Sequence, residues 1–342
     1  MNKPMLTICI PSYNRVSQVL KCVGALIDQS EGFDINLIVL DNKSNQNYLE
    51  EFNKVPAFQG ALSSGLLRVI RNATNIGMSA NFLRAFEVAE STWLWMLSDD
   101  DDILPGALLN IFGMIDQAQD KDGFIKFSSA RSRPEKEVAR LQSIESFIDF
   151  NAETEKAFNG FIFISNGIYR LEDFKPLLGT GYHYANTFIP HFMMLIEYMK
   201  HGNHCYISRK EIVNYVVPEV GYSYGMVAGL GVGAPKHAML NLSADYYRKY
   251  LRLFFPHNDY KVIIDLFYQC KRDATPYICR RLVADYISYV SVARSFPKMI
   301  VLRLFGFVVR FPFIFNEIIS FGETYSNMFK KHVAEIKIRY SK

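Results

Sequence analysis

Four consecutive aspartates at positions 99–102 follow the apolar run 92–97 after a single serine. Adjacent carboxylates in a partly closed cleft repel one another strongly unless a cation lies between them. Oxygen ligands suit Mg²⁺ or Mn²⁺, which keep several waters and take phosphate oxygens as further ligands. The alternative is an acidic approach to a helix that starts near Pro105, where the helix dipole favours negative charge. That alternative accounts for one or two acids more readily than for four, so we predict a metal site that neutralises a leaving diphosphate.

Strand and helix patterns alternate along the first half of the chain. Apolar runs that predict strands lie at 6–10, 35–40, 66–70, 92–97 and 124–127. Helical spacing lies between them, at 15–29 and 79–90. This alternation predicts an α/β fold with a parallel sheet covered by helices, in which ligands bind beyond the carboxyl ends of the strands. Three polar motifs follow strands directly, namely PSYN at 11–14, DNKS at 41–44 and the four aspartates.

The pattern changes beyond about residue 130. We expect strands at 161–169, 205–208 and 212–217, a helix at 190–200 and a glycine-rich loop at 221–233. The rest of the chain reads as mostly helical. We therefore predict two domains, an α/β domain at 1–225 and a helical C-terminal region at 226–342.

Composition narrows the classes of partner. The 342 residues carry a formal net charge of +4, with 49% hydrophobic and 21% charged residues, which is an ordinary globular balance. Because the charge is modest and spread along the chain, we expect no nucleic-acid partner. The five cysteines are dispersed without metal-ligand spacing, and no leader pattern opens the sequence, so we expect a cytoplasmic protein.

The apolar stretch 298–321 must be distinguished from a helix that spans a membrane. Arg303, Arg310 and Glu317 interrupt it, whereas a spanning helix needs about 20 nearly uncharged residues. Two alternatives remain. One is a helix in the membrane plane that makes a peripheral contact at the inner face of the cell membrane, with Lys298 and the arginines at the headgroups. The other is a buried helix of the C-terminal region.

Four segments resemble glycosyltransferase family 2, which has the GT-A fold with a Rossmann-like mixed sheet. They are TICIPSYNR at 7–15, VLDNKS at 39–44, NATNIG at 72–77 and WMLSDDDDIL at 95–104. Each segment alone is weak evidence for the family, but four of them in this order and spacing are a specific match. The likeness covers about residues 5–128. The resemblance implies an enzyme that moves a sugar from a nucleoside-diphosphate sugar to a hydroxyl of a glycan acceptor, free or lipid-linked, in bacterial surface polysaccharide biosynthesis.

The resemblance also implies roles for individual residues. A nucleotide-binding set is implied, and it comprises Pro11, Tyr13, Arg15, Asp41, Asn75, Gly77, Asp99 and Asp100. Tyr13 would lie near the base and Asp41 would accept a hydrogen bond from it, while Asn75 and Gly77 would let the backbone approach the nucleotide. Each of these has a structural alternative, such as a surface aromatic or a turn residue.

The metal ligands are implied by the DxD element of the family. Asp101 would bind Mn²⁺ or Mg²⁺ directly, and Asp99 would contact the ribose or the waters of the metal. The run of four leaves the register uncertain by one residue, so Asp100 and Asp102 stay as alternates.

The downstream half departs from the family. Inverting members carry a Glu-Asp pair before a helix, and its Asp is the general base, but the corresponding stretch 182–194 contains no carboxylate. His191 falls nearest the expected base position and His183 is the second candidate, since histidine performs this role at neutral pH. Carboxylate alternatives outside this stretch are Glu172, Asp173 and Glu197. The missing carboxylate keeps open a non-catalytic sugar- or nucleotide-binding protein on the same fold.

Acceptor contacts are expected from two loops, 160–166 and 222–224. A nucleotidyltransferase is a further enzyme alternative, but it needs a loop rich in glycine and basic residues after the first strand, and PSYN at 11–14 is not one.

Overall fold

The computed structural model describes residues 4–129, 138–153, 160–214, 233–234, 242–254, 276–294, 296–311 and 317. The chain forms two compact units, Met1–Glu219 and Val220–Lys342. The boundary at 225/226 stays a prediction, because the residues around it lie outside the described ranges, as do the loop 222–224 and most of the glycine-rich stretch 221–233.

The first unit is built on two sheets. Their strands are β1 (Leu6–Ser12), β2 (Ile35–Asp41), β3 (Leu67–Arg71), β4 (Trp93–Met96), β5 (Asp102–Ile103), β6 (Phe124–Ser128), β7 (Val138–Leu141), β8 (Gly167–Arg170), β9 (Cys205–Glu211) and β10 (Val213–Asn214). Eight of them form one sheet in the order β3-β2-β1-β4-β8-β6-β9-β7, and β5 pairs with β10. The strands predicted from apolar runs in the first half are confirmed within one or two residues at their ends.

Helices of the first unit are α1 (Val16–Ile27), α2 (Tyr48–Phe52), α3 (Pro56–Ser64), α4 (Met78–Val88), α5 (Ala107–Ile115), α6 (Ile144–Glu153), α7 (Leu171–Phe174), α8 (Leu178–His183) and α9 (Pro190–Lys200). In the second unit the described helices are α10 (Ala244–Phe254), α11 (Pro276–Ala293) and α12 (Phe296–Val308). The helix expected at 190–200 is confirmed as α9.

Parallel pairing brings the three polar motifs to one edge of the sheet. β1 pairs in parallel with both β2 and β4, and β2 pairs in parallel with β3. In this register Ser12 lies beside Asp41, and Asp41 beside Arg71. β8 runs antiparallel to β4, so the sheet is mixed. The fold is the predicted α/β class, and the carboxyl ends of β1, β2 and β4 lie at the same edge.

Burial on both faces explains the continuous apolar character of the central strands. Every residue of β1 is buried. Val19, Val23 and Leu26 line the buried side of α1 and belong to the same core as Ile8 and Val39. This core fixes the position of the strand ends that carry the motifs.

The expected strand at 161–169 is wrong in its first half. Residues 164–166 form a single 3₁₀ turn, and β8 starts only at Gly167. The side chain of Ser165 holds this turn, because it bonds the backbone of Ser98 and the carboxylate of Asp101. Gly167 is required at the entry to the strand, since a Cβ there would lie 2.7 Å from the ring of Phe124.

A separate apolar core holds the three described helices of the second unit together. Its members include Leu251 of α10, Ile287 of α11, Leu302 of α12 and Val309 just after α12. Among the described residues no helix has the length and hydrophobicity needed to cross a bilayer.

Lys126 is a buried cation in the middle of the sheet. It lies on β6, its ammonium donates a hydrogen bond to the carbonyl of Phe127, and it lies 5.5 Å from the ring centre of Phe161. Within the described ranges it forms no ion pair with a carboxylate. Burial lowers the pKa of Lys126 to about 7, an effect that Cys205 partly opposes.

We expect Lys126→Met to raise the free energy of unfolding at pH 6–7 by at least about 1 kcal/mol, since one pKa unit corresponds to about 1.4 kcal/mol. The folded pKa is depressed, so between about pH 7 and about pH 10 the unfolded chain binds a proton that the folded chain does not. The wild type therefore gains stability across this window, and the advantage of the variant shrinks. Urea unfolding from pH 6 to 10 measures it.

Lys121→Met is the matched control, because Lys121 is exposed. Its stability should stay within about 0.5 kcal/mol of the wild type at each pH. An advantage of Lys126→Met that is constant from pH 6 to 10 contradicts the lowered pKa.

Candidate functional site

Asp99 lies at the carboxyl end of β4 and is held by the loop after β1. The Ser12 hydroxyl donates to Asp99 Oδ2 at 2.5 Å, and Arg15 Nη1 donates to Oδ1 at 3.0 Å. The Ser12 hydroxyl also lies 2.9 Å from that of Tyr48. Burial raises the pKa of Asp99, and the bonds from Ser12 and Arg15 counteract this. The carboxylate of Asp99 is thus buried beside the guanidinium of Arg15, whose positive charge offsets its negative charge.

Arg15 bridges two of the four aspartates. Besides its bond to Asp99, Nη1 lies 2.8 Å from Asp100 Oδ2. Asp100 also accepts a hydrogen bond from Ser98 at 2.5 Å. The guanidinium remains partly exposed, so it lies at the mouth of the acidic cluster formed by Asp99, Asp100 and Asp101.

Asp101 and Asp102 have different surroundings. Asp101 is 5% exposed and accepts a hydrogen bond from the Ser165 hydroxyl at 2.6 Å. Asp102 lies in β5, and its carboxylate pairs with Lys21 at 2.5 Å. Three carboxylates therefore belong to the site near Arg15 and Ser165, and the fourth turns toward α1.

The cluster fits a divalent cation that brings its own further ligands. Within the described ranges no group of three acidic, histidine or cysteine side chains is placed to hold a metal ion by itself. Carboxylate oxygens at one edge of a sheet are nevertheless the donors that Mg²⁺ and Mn²⁺ prefer, with water and diphosphate oxygens completing the shell. The donor set fits a metal that binds together with a diphosphate.

Asp41 is fully buried at the end of β2. Its Oδ1 accepts from the Ser44 backbone at 2.7 Å, and its Oδ2 accepts from Arg71 at 2.9 Å. Arg71 also donates to the carbonyls of Ser44 and Gln46, so it fixes the whole turn after β2. Sequence reasoning missed Arg71, although a basic residue at the end of the next strand was the available signal.

Asn42 fastens the loop 72–77 to the end of β2. Its Nδ2 donates to Asn75 Oδ1 at 2.9 Å and to the Gly77 carbonyl at 3.3 Å. Its Oδ1 accepts from Asn72 Nδ2 and from the Ile76 backbone, each at 3.0 Å. The sequence indicated the segment 72–77 but not the role of Asn42, whose side chain bonds both ends of that segment.

The remaining nucleotide-set residues differ in exposure. Pro11 is buried within β1 opposite Leu40, whereas Tyr13 is exposed on the loop that follows. Gly77 begins α4 with a φ of 84°, a conformation that favours glycine, and no atom lies within 4 Å of the position a Cβ would take. The backbone before α4 is therefore open to a ligand.

His191 is buried beneath the segment that contacts Asp101. It is 1% exposed, its Nε2 lies 3.1 Å from the Ile162 carbonyl, and its ring packs edge-on against Phe82. Burial lowers the pKa of His191 to about 4, and the bond to Ile162 partly opposes this. The neutral ring donates from Nε2, which leaves Nδ1 unprotonated and without a hydrogen-bond partner in the described residues.

Other candidates for the base lie elsewhere. His183 is exposed at the end of α8, with its ring against Tyr184. Glu172 and Asp173 pair with Arg170, which lies beside Trp93 at the amino end of β4, the edge opposite the acidic cluster. The structure therefore does not bring these two carboxylates to the site. Glu197 lies on α9, where it pairs with Lys200 and lies 3.3 Å from Nε2 of His201 just after the helix.

We expect Asn42→Ala to lower the free energy of unfolding by about 2 kcal/mol, because it leaves buried hydrogen-bonding groups of the loop 72–77 without partners. Urea unfolding measures this. Asn45→Ala is the matched control, since Asn45 is exposed three residues further along. Equal stability of the two variants would contradict the role given to Asn42.

Comparison with known proteins places this geometry in a family. A sequence profile of glycosyl transferase family 2 matches residues 7–175. An uncharacterized protein of Mycobacterium tuberculosis is 28% identical over 110 residues, which is 31% of each chain. An uncharacterized glycosyltransferase of Haemophilus influenzae is 30% identical over 114 residues, which is 33% of this chain and 35% of the relative. The matched stretch thus spans about a third of the length of these curated relatives.

Solved structures share the fold over a longer stretch. TarS of Staphylococcus aureus, residues 1–349 in complex with UDP-GlcNAc, aligns with a TM-score of 0.61 over 90% of both chains at 13% identity. The same fragment without that ligand aligns with a TM-score of 0.58 at 14% identity. At this identity the likeness concerns the fold, which is GT-A. Residues 7–175 therefore form a glycosyl transferase family 2 domain, and the fold is GT-A.

Proposed function

We propose that this protein transfers a sugar from a nucleoside-diphosphate sugar to a hydroxyl group of a glycan acceptor, with a divalent cation as cofactor. The observation that carries the proposal is the acidic cluster. Asp99 and Asp101 are buried at the end of β4, at the same edge as Asp41 and the Asn42 contacts. A cleft that gathers carboxylates beside an open backbone loop suits a diphosphate that arrives with its metal.

The donor nucleotide is proposed to be UDP. TarS, which shares the fold, was crystallised with UDP-GlcNAc and with UDP. Arg71 lies partly exposed beside Asp41, where its N–H groups suit the carbonyl oxygens of a pyrimidine. Tyr13 is exposed on the loop after β1 and offers a ring for the base to stack on. The backbone at Asn75 and Gly77 is proposed to lie against the nucleoside.

The metal is proposed to bind Asp101, with Asp99 contacting the ribose or the metal's waters and Asp100 beside it. A cation bound there supplies a positive charge that stabilises the leaving diphosphate. Arg15 pairs with Asp99 and Asp100 in this structure, which supports a site where part of the negative charge is balanced by the chain itself.

The proposed reaction is a single displacement, which inverts the anomeric centre. The acceptor oxygen forms a bond to the anomeric carbon, the bond from that carbon to the diphosphate oxygen breaks, and a base takes the hydroxyl proton. His191 is the proposed base, because it lies at the start of α9, where the resemblance places the base, and its ring contacts the segment 162–165, whose Ser165 bonds Asp101. Its burial is equally expected of a structural histidine, so substitution must separate the two roles.

The proposed acceptor is a glycan, free or lipid-linked, in bacterial surface polysaccharide biosynthesis at the cytoplasmic face of the membrane. The segment 160–166 supports an acceptor subsite there, since Ser165 bonds Asp101 directly. The second candidate function is non-catalytic binding of a sugar or nucleotide. It is favoured by the absence of a carboxylate at the start of α9, where the buried His191 lies.

We expect UDP with Mn²⁺ to raise the melting temperature of the full chain, and UDP in EDTA to raise it far less. A ligand that binds only the folded state stabilises it by about 2.7 kcal/mol at about 100 times its Kd. Asp101→Ala should abolish the metal-dependent part of the shift. Thermal unfolding with UDP, GDP, CDP and dTDP, each with and without Mn²⁺, shows which nucleotide base is preferred and whether binding requires the metal.

Asp120→Ala is the control for that screen, because Asp120 is exposed away from the acidic cluster. It should retain the full shift. If no diphosphate stabilises the protein under any condition, the proposed nucleotide site is refuted. If UDP stabilises wild type and Asp101→Ala alike, the nucleotide site stands and the metal assignment fails.

We expect His191→Gln to lower kcat for sugar transfer by at least about 100-fold with little change in the KM for the donor, which is the usual effect of losing a general base. His183→Gln should retain kcat. Because the pKa of His191 is about 4, the ring is already unprotonated at pH 6, so the wild-type kcat should not fall between pH 8 and 6 on its account. If the His191→Gln protein is folded and has the wild-type kcat, His191 is a structural residue and not the base.

A further inference from the structure

α12 has two apolar faces, and among the described residues of the second unit only one of them packs against other helices. Leu302 and Val309 are buried in the shared core with α11. Gly306 lies on the same side, where an added Cβ would come within 3.1 Å of Ile287. This close approach fixes the orientation of the helix, because the backbone of α12 lies against the side chain of α11.

The opposite side of α12 exposes large apolar side chains. We call this side the outward face, and its members, 42% to 62% exposed, are Ile300, Val301, Leu304, Phe307 and Phe311. Their spacing places the first four along one side of α12, and Phe311 lies three residues beyond its end. Among the described residues the other exposed large apolar side chains are scattered from Tyr13 to Tyr182. Such concentration in twelve residues marks an interaction surface.

Basic side chains border the outward face. Arg303 and Arg310 are exposed and lie seven residues apart, so both fall along the same side of the helix. Lys298 is exposed near its start. The sequence from 286 to 316 contains no acidic residue. An apolar strip edged by positive charge complements a bilayer with anionic headgroups, where the arginines reach the phosphates while the apolar side chains enter the interface.

We propose that the outward face of α12 docks in the plane of an anionic lipid bilayer. The helix does not cross the membrane, since no described helix is long and apolar enough to do so. Its inner side stays on α11, so docking needs no unfolding of the second unit. The proposal concerns a partner of the second unit and does not rest on the transfer chemistry of the first.

The test is co-sedimentation of the full chain with vesicles of phosphatidylcholine alone and of phosphatidylcholine mixed with phosphatidylglycerol. We expect binding to the mixed vesicles, weaker binding at high salt, and little binding to the neutral ones. The double variant Leu304→Glu and Phe307→Glu should bind at least about tenfold more weakly. The double variant Arg303→Gln and Arg310→Gln should lose most of the preference for anionic vesicles.

Leu109→Glu is the matched control, because Leu109 is 67% exposed on α5 of the first unit. It should bind vesicles like the wild type, and circular dichroism should show all variants folded. The proposal is overturned if the wild type binds neither kind of vesicle, or if Leu304→Glu with Phe307→Glu binds as well as the wild type. It is also overturned if sedimentation velocity shows a wild-type dimer that the same double variant converts to monomers, since the face would then bind a second copy.

Discussion

Burial of carboxylates at the end of β4 constrains the whole carboxyl edge of the first unit. Asp99 and Asp101 are almost completely buried, and an unpaired buried carboxylate costs several kcal/mol. The structure offsets this with donors from separate parts of the chain, namely Ser12 at the end of β1, Arg15 just before α1, and Ser165 before β8. The same contacts therefore stabilise the charge and hold these loops around the acidic cluster. A divalent cation bound there would offset the negative charge that Arg15 leaves unbalanced.

Parallel register supplies the second half of the site. Asp41 lies beside Ser12 and Arg71, and the next residue, Asn42, reaches the loop before α4. Side chains that bond backbone groups keep this loop in place without covering it, and Gly77 leaves the start of α4 open. A nucleotide would thus meet a preorganised edge, which reduces the ordering cost of binding.

Apolar runs and three strand-end motifs were enough to predict the α/β fold and the edge of the sheet at which the three motifs meet. Asn42 and Arg71 were not predictable in these roles, because a single sequence does not show which loops meet across the sheet. His191 was placed by counting along the chain, which says nothing of burial. Both sides of α12 are apolar, so the sequence does not show which one packs, whereas the burial of Leu302 and the approach of Gly306 to Ile287 do.

Photo-crosslinking with 5-azido-UDP-glucose, followed by peptide mapping, tests most directly whether a nucleotide sugar binds at this edge. We expect labelled peptides from the loop after β1 that carries Tyr13 or from the segment 72–77, with UDP suppressing the label. Labelling confined to 220–342, or labelling that excess UDP does not displace, would contradict a nucleotide-sugar site at the carboxyl ends of β1, β2 and β4.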